Sequence, residues 1–253
     1  MKLITPFGIR KYSKKVSSNG YERIYHNHIR KCAGTSINKA MIKGMGGDEN
    51  SYEELSNFFF HKMYLKHGPV VGWNISAINR NSFYFGFSHE PLHKLKLEES
   101  TFVFSFIRDP IDRVISHFNM LKDAINTQLN HPMLRSESKW AFGDFNHFIK
   151  NVPKKYLCAQ LYNFSETYNI EDAIDTIERS VNYIGDIYGT ENNLVPFLSS
   201  EFNLDIKYKH LRKSKSKTQL NKKQYEEVKS LLYEEILFYN RVQNKYGLNV
   251  FLK

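Results

Sequence analysis

The segment HIRKCAGTSINKAM, residues 28–41, places a lysine, two small residues and two hydroxyl residues directly before a helix-forming run. If residues 24–29 form a strand and residues 35–45 a helix, the turn between them points free backbone N–H groups at one spot, where the helix dipole favours negative charge. Lys31 adds a positive charge there, and Gly34 lets a ligand approach the backbone. These groups predict an anion site. The competing interpretation is a plain turn with a helix cap.

The polar side chains around this loop leave several roles open. Thr35 or Ser36 can cap the helix or donate a hydroxyl to a phosphate oxygen, and Arg30 can add a second charge. The Walker pattern GxxxxGK[ST] is absent because the lysine precedes the glycine. The segment GMGGDE at 44–49 lacks the spacing of GxGxxG and follows a helix. The usual nucleotide-binding motifs are therefore not the source of this pattern.

A second candidate anion site follows the apolar run in TFVFSFIRDPIDRVISHFN, residues 101–119. Its strand ends at Arg108, which places that side chain at the carboxyl edge of a sheet, where open α/β sheets bind ligands. Ser116 follows two helical turns later and can share a phosphate with Arg108. We expect Arg113 to pair with Asp109 one turn away. The competing interpretation makes Arg108 a surface ion-pair partner.

The elements that must position these motifs alternate between strand and helix along the chain, which favours an α/β domain built on a mainly parallel sheet. Residues 46–80 read as irregular because glycine and proline interrupt them. Strands are predicted at 22–29, 82–88, 101–107 and 182–187, and helices at 35–45, from Pro110 onward, and at about 144–150, 155–163, 170–180 and 219–245.

The composition is that of one globular domain spanning residues 1–253, with residues 1–20 as an N-terminal extension. The net charge of +10 and a pI near 9.3 suit a phosphorylated or polyanionic partner. The densest basic run, residues 207–223, reads as a loop. Two cysteines and the lack of a signal-like or membrane-spanning run predict a cytoplasmic protein, with peripheral contact to an anionic membrane left open.

Two phosphate-type motifs on neighbouring strands imply a ligand with phosphates at both ends, and together they resemble a known family. HIRKCAGTS resembles the 5′-phosphosulfate loop of the carbohydrate sulfotransferases of the heparan sulfate 2-O-sulfotransferase type, which usually reads His-Ile-Pro-Lys-Thr-Ala-Gly-Thr-Ser. FSFIRDPIDRVISHF is similar to the 3′-phosphate motif of that family. The resemblance implies a three-layer fold of P-loop NTPase-like architecture. It also implies 3′-phosphoadenosine 5′-phosphosulfate as donor and transfer of its sulfuryl group to an acceptor hydroxyl, with a glycan or glycolipid favoured.

The resemblance also assigns residues to the donor. Arg30 and Cys32 stand where the family usually has proline and threonine, so Arg30 could contact donor or acceptor instead. A thiol at a helix N-terminus often has a lowered pKa, and we expect Cys32 to be sensitive to oxidation. Lys31 is assigned to the leaving oxygen, and Arg212 and Lys213 could close over the donor. The donor-binding residues implied are Arg30, Lys31, Cys32, Ala33, Gly34, Thr35, Ser36, Arg108 and Ser116.

The general base is sought in FYFGFSHEPLHKL, residues 83–95, which ends a strand at the same edge of the sheet. The family branch often has a histidine there, which makes His89 the first candidate, with Glu90 as its rival. His93, four residues on, is expected on the same helical face as His89. His26 and His28 receive no role.

No metal is expected, and two other functions compete with the sulfotransferase interpretation. A magnesium-dependent, kinase-like nucleotide transferase is disfavoured by the missing Walker loop. A basic nucleic-acid-binding protein is suggested by the charge and the 15% aromatic content. It is disfavoured because the aromatic residues lie in strand-like core runs rather than among the basic ones. We therefore expect no nucleic-acid partner.

Overall fold

The computed structural model describes residues 17–48, 50–57, 61–127, 137–186, 188–209 and 217–253. Within these ranges the strands form one seven-stranded sheet. The strands are β1 (Arg23–Asn27), β2 (Lys62–Leu65), β3 (Gly68–Gly72), β4 (Phe85–Ser88), β5 (Thr101–Phe106), β6 (Tyr183–Gly185) and β7 (Val250–Phe251).

The sheet has the order β2-β3-β4-β1-β5-β6-β7, and only the two edge strands run antiparallel to their neighbours. Every residue of β1, β3, β4, β5 and β6 is buried. Full burial fits the near-continuous apolar run of β5, because a parallel strand covered on both faces has no solvent side. The predicted α/β fold with a central, mainly parallel sheet is confirmed.

Helices connect and cover these strands. Short 3₁₀ turns lie at Leu92–Lys94 and Ser138–Trp140, and a π turn lies at Thr190–Leu194. The α-helices of the described residues are α1 (Gly34–Gly44), α2 (Ser51–Asn57), α3 (Ile75–Asn79), α4 (Pro110–Asn126), α5 (Phe145–Asn151), α6 (Lys154–Leu157), α7 (Ala159–Phe164), α8 (Ile170–Ser180), α9 (Val195–Phe202), α10 (Lys222–Leu231) and α11 (Tyr233–Tyr246).

The strand order brings the candidate motifs together. β1 lies between β4 and β5, and all three run parallel. Asn27 is in register with both Ser88 and Ser105, so the three strands end at the same level. The loop after β1, His89 after β4 and Arg108 after β5 therefore leave the same edge of the sheet side by side.

Two apolar clusters support this arrangement. The larger joins the strands to helices α1, α7, α8 and α9. The smaller packs α4, through residues such as Phe118, against Phe148 of α5 and Val228 of α10. The second cluster holds the helix that follows Arg108, while the first holds the sheet edge itself.

Some element predictions were wrong. Residues 46–80 are not irregular, since they contain the hairpin β2–β3, in which Gly68, Pro69 and Gly72 sit in a strand. Pro69 has no backbone N–H to donate to the sheet, but its carbonyl accepts the N–H of Tyr84 at 2.7 Å. The helix predicted at 219–245 is two helices separated at Leu232.

Several predicted features fall on residues outside the described ranges. Residues 1–16 of the predicted N-terminal extension and residues 210–216 of the basic loop belong to this group, as do Arg212 and Lys213. Within the described ranges, no helix combines the length and apolar character needed to cross a membrane.

Candidate functional site

The loop between β1 and α1 is built on an unfavourable backbone. Lys31 and Ala33 have φ angles of 68° and 64°, in the left-handed region that L-residues avoid at a cost of about 1 kcal/mol or more each. Left-handed residues in a short turn direct successive N–H groups to one side and form a concavity that suits an anion. Such strain persists where the surrounding structure imposes it, and it is typical of functional sites.

The N-terminus of α1 opens into this concavity. The helix begins at Gly34 with Ala33 as its N-cap, and no described side chain caps it. The prediction that Thr35 or Ser36 caps the helix was therefore wrong, because both hydroxyls lie inside the first turn and a cap must precede it. The other proposed role, hydrogen bonding to a phosphate oxygen, stays a prediction. The first-turn N–H groups keep their preference for an anion.

Glycine is required at position 34 because a neighbouring ring leaves no room for a side chain, and also because of its place in the loop. A Cβ on Gly34 would lie 1.9 Å from Cδ2 and 2.1 Å from Nε2 of His28. No side chain larger than hydrogen fits at that distance. The loop therefore packs directly on the imidazole of His28, a residue that the sequence analysis left without a role.

His28 belongs to a row of three imidazoles beneath the loop. Its ring lies 5.0 Å from that of His26 and 4.3 Å from that of His89. Nδ1 of His26 donates to Oδ1 of Asn38 at 2.7 Å, and Nδ2 of Asn38 donates to Nδ1 of His28 at 3.4 Å. Burial lowers the pKa of His26 to about 3 and that of His28 well below its ordinary value. Both rings are therefore neutral, and the carbonyl and amino ends of Asn38 fix their tautomers.

His89 has the geometry of a proton acceptor. Its Nδ1 donates to the backbone carbonyl of His28 at 2.8 Å, which leaves the lone pair on Nε2. Burial, followed by the nearby charge of Arg30, lowers the pKa of this partly exposed imidazole to about 4. At neutral pH the ring is uncharged with a fixed tautomer. The alternation His-Asn-His at the end of β1 could have indicated the supporting rings, since residues two apart on a strand share a face.

The rival candidates are placed differently. The backbone N–H of Glu90 donates to Oγ of Ser88 at 3.1 Å, which fixes the turn after β4. His93 lies in a 3₁₀ turn that begins after the extended Pro91 and packs edge-on against Tyr162 at 5.6 Å. The prediction that His89 and His93 share a helical face was therefore wrong, because the proline interrupts the chain between them.

Arg108 connects the two phosphate-type motifs. Its Nη1 donates to the carbonyl of Lys31 at 3.5 Å, so the guanidinium lies against the loop. Its Nη2 lies 3.9 Å from Oδ2 of Asp112, and about a third of the side chain stays exposed (32%). The partly exposed guanidinium can still bind a phosphate. Ser116 lies one turn beyond Asp112 on the same face of α4, and no hydrogen bond among the described residues joins it to Arg108.

The helix after Arg108 begins with a side-chain cap, unlike α1. Oδ1 of Asp109 accepts the N–H of Asp112 at 2.9 Å and caps α4. The predicted pair between Arg113 and Asp109 was wrong, because Arg113 is fully buried and its Nε lies 3.6 Å from Oε1 of the equally buried Glu235. Arg113 also donates to the carbonyls of Tyr156 and Leu157. No local spacing could have predicted this pair, since its partner comes from the far C-terminal helix.

Arg30 links the loop to the segment before the 3₁₀ turn at Ser138–Trp140. It forms an ion pair with Glu137 and lies over the ring of Tyr156 at 5.1 Å. Glu137 also accepts from Nε2 of His117 at 3.3 Å. Burial lowers the pKa of His117. A direct contact of Arg30 with donor or acceptor stays a prediction.

Cys32 is a core residue rather than an exposed thiol. It is 1% exposed, and burial raises its pKa to about 12 despite the nearby charges of Arg113 and Arg108. Its Sγ donates to Oε1 of Gln160 at 3.6 Å. The predicted low pKa was wrong, because loss of hydration outweighs the helix dipole at this position, while the expected sensitivity to oxidation stays a prediction.

The assembled site holds positive charge, backbone N–H groups and a neutral imidazole at one edge of the sheet. Among the described residues, no group of three or more His, Cys, Asp or Glu side chains is gathered as metal ligands would be, and the expected lack of a metal stays a prediction. The arrangement can bind anions at two adjacent points and accept a proton beside them.

Comparison with known proteins gives one match. The model of the Sulfotransferase family matches residues 16–241, which include every strand except β7 and all the candidate site residues. A search of curated proteins found no match, and a search of solved structures found none. Because the family match covers most of the chain and includes both candidate anion-binding motifs, the chain belongs to the Sulfotransferase family and is a sulfotransferase.

Proposed function

We propose that this sulfotransferase moves the sulfuryl group of 3′-phosphoadenosine 5′-phosphosulfate to a hydroxyl of a carbohydrate. One observation carries the proposal: the guanidinium of Arg108 donates to the carbonyl of Lys31 at 3.5 Å, so the two phosphate-type motifs meet. A ligand with phosphates at both ends of one nucleoside would occupy both. The strained loop and the uncapped start of α1 suit the 5′ end, and Arg108 with Ser116 suits the 3′ end.

The catalytic roles follow from charge and tautomer. In sulfuryl transfer the acceptor oxygen bonds to sulfur as the bond from sulfur to the bridging oxygen breaks, and the acceptor loses its proton. Lys31 and the first-turn N–H groups of α1 would stabilise the negative charge on the bridging oxygen. Nε2 of His89 would take the proton, since its Nδ1 is held by the carbonyl of His28.

The low pKa of His89 is compatible with this role. Burial and the charge of Arg30 keep the imidazole neutral in the free protein. A bound donor carries several negative charges, which oppose the effect of Arg30 and raise the proton affinity of the ring when proton transfer is needed. Glu90 stands beside His89 in the chain and is the alternative base.

The carbohydrate acceptor is supported by the likeness of both motifs to the carbohydrate branch. The surplus of positive charge, 36 basic against 26 acidic residues, would also attract an acidic or already sulfated glycan.

Calorimetric titration with 3′-phosphoadenosine 5′-phosphate in the absence of magnesium tests the donor. The wild type should bind, and Lys31→Ala and Arg108→Ala should each weaken binding by about tenfold to a hundredfold, since each removes a charge-assisted contact. Arg80→Ala is the matched control because Arg80 is exposed at the end of α3 and donates to Ser76 one turn away. Its affinity should equal that of the wild type.

Three results would overturn the proposal. A folded wild type that does not bind the bisphosphate removes the donor assignment. Nucleotide binding that requires magnesium would support the kinase-like transferase instead, and strongly salt-dependent binding to single-stranded nucleic acid would support a nucleic-acid-binding protein.

A further inference from the structure

Gln160 contacts both phosphate-type motifs from inside the protein. It lies in α7 and is fully buried. Its Oε1 accepts the backbone N–H of Arg108 at 2.7 Å, and its Nε2 donates to the carbonyl of Arg108 at 3.0 Å. The same Oε1 accepts from Sγ of Cys32 at 3.6 Å. One amide group therefore pairs with the backbone beyond β5 and also holds the loop after β1.

A second buried group fixes Gln160 in turn. The carboxylate of Glu235 accepts the backbone N–H groups of Gln160 and Leu161 at 3.0 and 2.9 Å, and so caps α7. Glu235 is itself paired with Arg113 of α4 at 3.6 Å. Burial raises the pKa of Glu235, and Arg113 opposes that effect. The amide of Gln160 consequently sits on a helix that cannot shift without losing two hydrogen bonds to a carboxylate that a buried ion pair holds in place.

We propose that Gln160 is a positioning residue that sets the distance between the loop of residues 30–34 and Arg108. This inference rests on the proposed function, because the distance matters only for a ligand that binds both points. The side chain is fully buried, so it would touch neither donor nor acceptor. It acts through the backbone of Arg108 and the thiol of Cys32.

A comparison of ligands that carry one phosphate with a ligand that carries two tests this role. A ligand with one phosphate binds one point, and the long side chain of Arg108 can follow it. A bisphosphate must satisfy both points at once, and it gains from the second contact only when their separation matches its own. Loss of the Gln160 side chain should therefore weaken binding of the bisphosphate and leave binding of the monophosphates unchanged.

Gln160→Met tests the inference because methionine keeps the length of the side chain and loses all three hydrogen bonds. The matched control is Asn163→Leu on the same helix. Asn163 is similarly buried and accepts from Nδ2 of Asn27 at 2.7 Å, but it contacts neither Arg108 nor Cys32 in the hydrogen bonds of the described residues. Both variants lose buried hydrogen bonds, so both should lower the thermal midpoint, and binding is measured well below it.

Affinities for 3′-phosphoadenosine 5′-phosphate, adenosine 5′-phosphate and adenosine 3′-phosphate are then compared. In Gln160→Met the ratio of bisphosphate to monophosphate affinity should fall by about tenfold or more, while Asn163→Leu should keep the wild-type ratio. An unchanged ratio in Gln160→Met, with a wild type that binds the bisphosphate, overturns the positioning role alone. A wild type that does not bind the bisphosphate overturns the donor proposal together with this inference.

Discussion

The two strand-to-helix junctions at the site begin their helices in different ways. After β1, Lys31 and Ala33 adopt left-handed φ angles, Gly34 packs against the imidazole of His28, and no described side chain caps the helix. After β5, the chain enters α4 through Asp109, a regular cap, with Pro110 in the first turn. The first junction has the uncapped helix start that favours an anion. The second satisfies its own groups and offers one side chain, Arg108.

The junctions also differ in how charge is used around them. Neutral histidines surround the first, since burial lowers the pKa values of His26, His28 and His89. A buried ion pair lies near the second, where Arg113 pairs with Glu235 although burial raises the pKa of that carboxyl. Substitutions near the second junction should therefore lower the folding stability. The effect of substitutions at the first should depend on side-chain packing there and on pH.

The largest effect is expected for Glu235→Ala. The change leaves Arg113 buried without its carboxylate and removes the cap of α7, so the free energy of unfolding should fall by about 3–5 kcal/mol. Urea denaturation measures the loss. The neighbouring Glu234→Ala is the control, because Glu234 is half exposed and pairs with Lys154 at the surface. Equal losses in the two variants would contradict the importance of the buried pair.

A smaller effect is expected for Gly34→Ala. The new Cβ would overlap the ring of His28, and the resulting displacement should cost about 1–3 kcal/mol. Gly34 does not have a positive φ, so alanine meets no backbone barrier there. The His28→Ala background removes the ring and provides the control.

In that background Gly34→Ala should be neutral or stabilising, since alanine is the better helix former. Denaturation of the four proteins of this double-mutant cycle measures the coupling. A cost that stays the same without the ring would show that Gly34 is needed for another reason.

The sequence predicted features that depend on local contacts and missed those that depend on contacts between distant parts of the chain. The run TFVFSF, the order strand–loop–helix and the positions of Lys31 and Arg108 are local signals, and the structure places them at one edge of the sheet. The partners of Arg113 and Cys32 were missed because Glu235 and Gln160 come from helices far along the chain. Sequence spacing carries no information about such contacts.

An effect that distinguishes the two junctions by pH is expected at His89. Its pKa is about 4 in the folded protein and near 6.5 in the unfolded chain, so between these values the unfolded chain binds a proton that the folded protein does not. Stability from this residue is complete above about pH 6.5 and is lost as pH falls toward 4.

One proton corresponds to a slope of at most about 1.4 kcal/mol per pH unit. His89→Asn should therefore lower the slope of the free energy of unfolding against pH, between pH 4.5 and 6.5, by up to this amount. Urea denaturation at several pH values measures the slope. The exposed His147→Asn should keep the wild-type slope. An unchanged slope in His89→Asn would mean that the imidazole is not held neutral, and the fixed lone pair on Nε2 would lose its support.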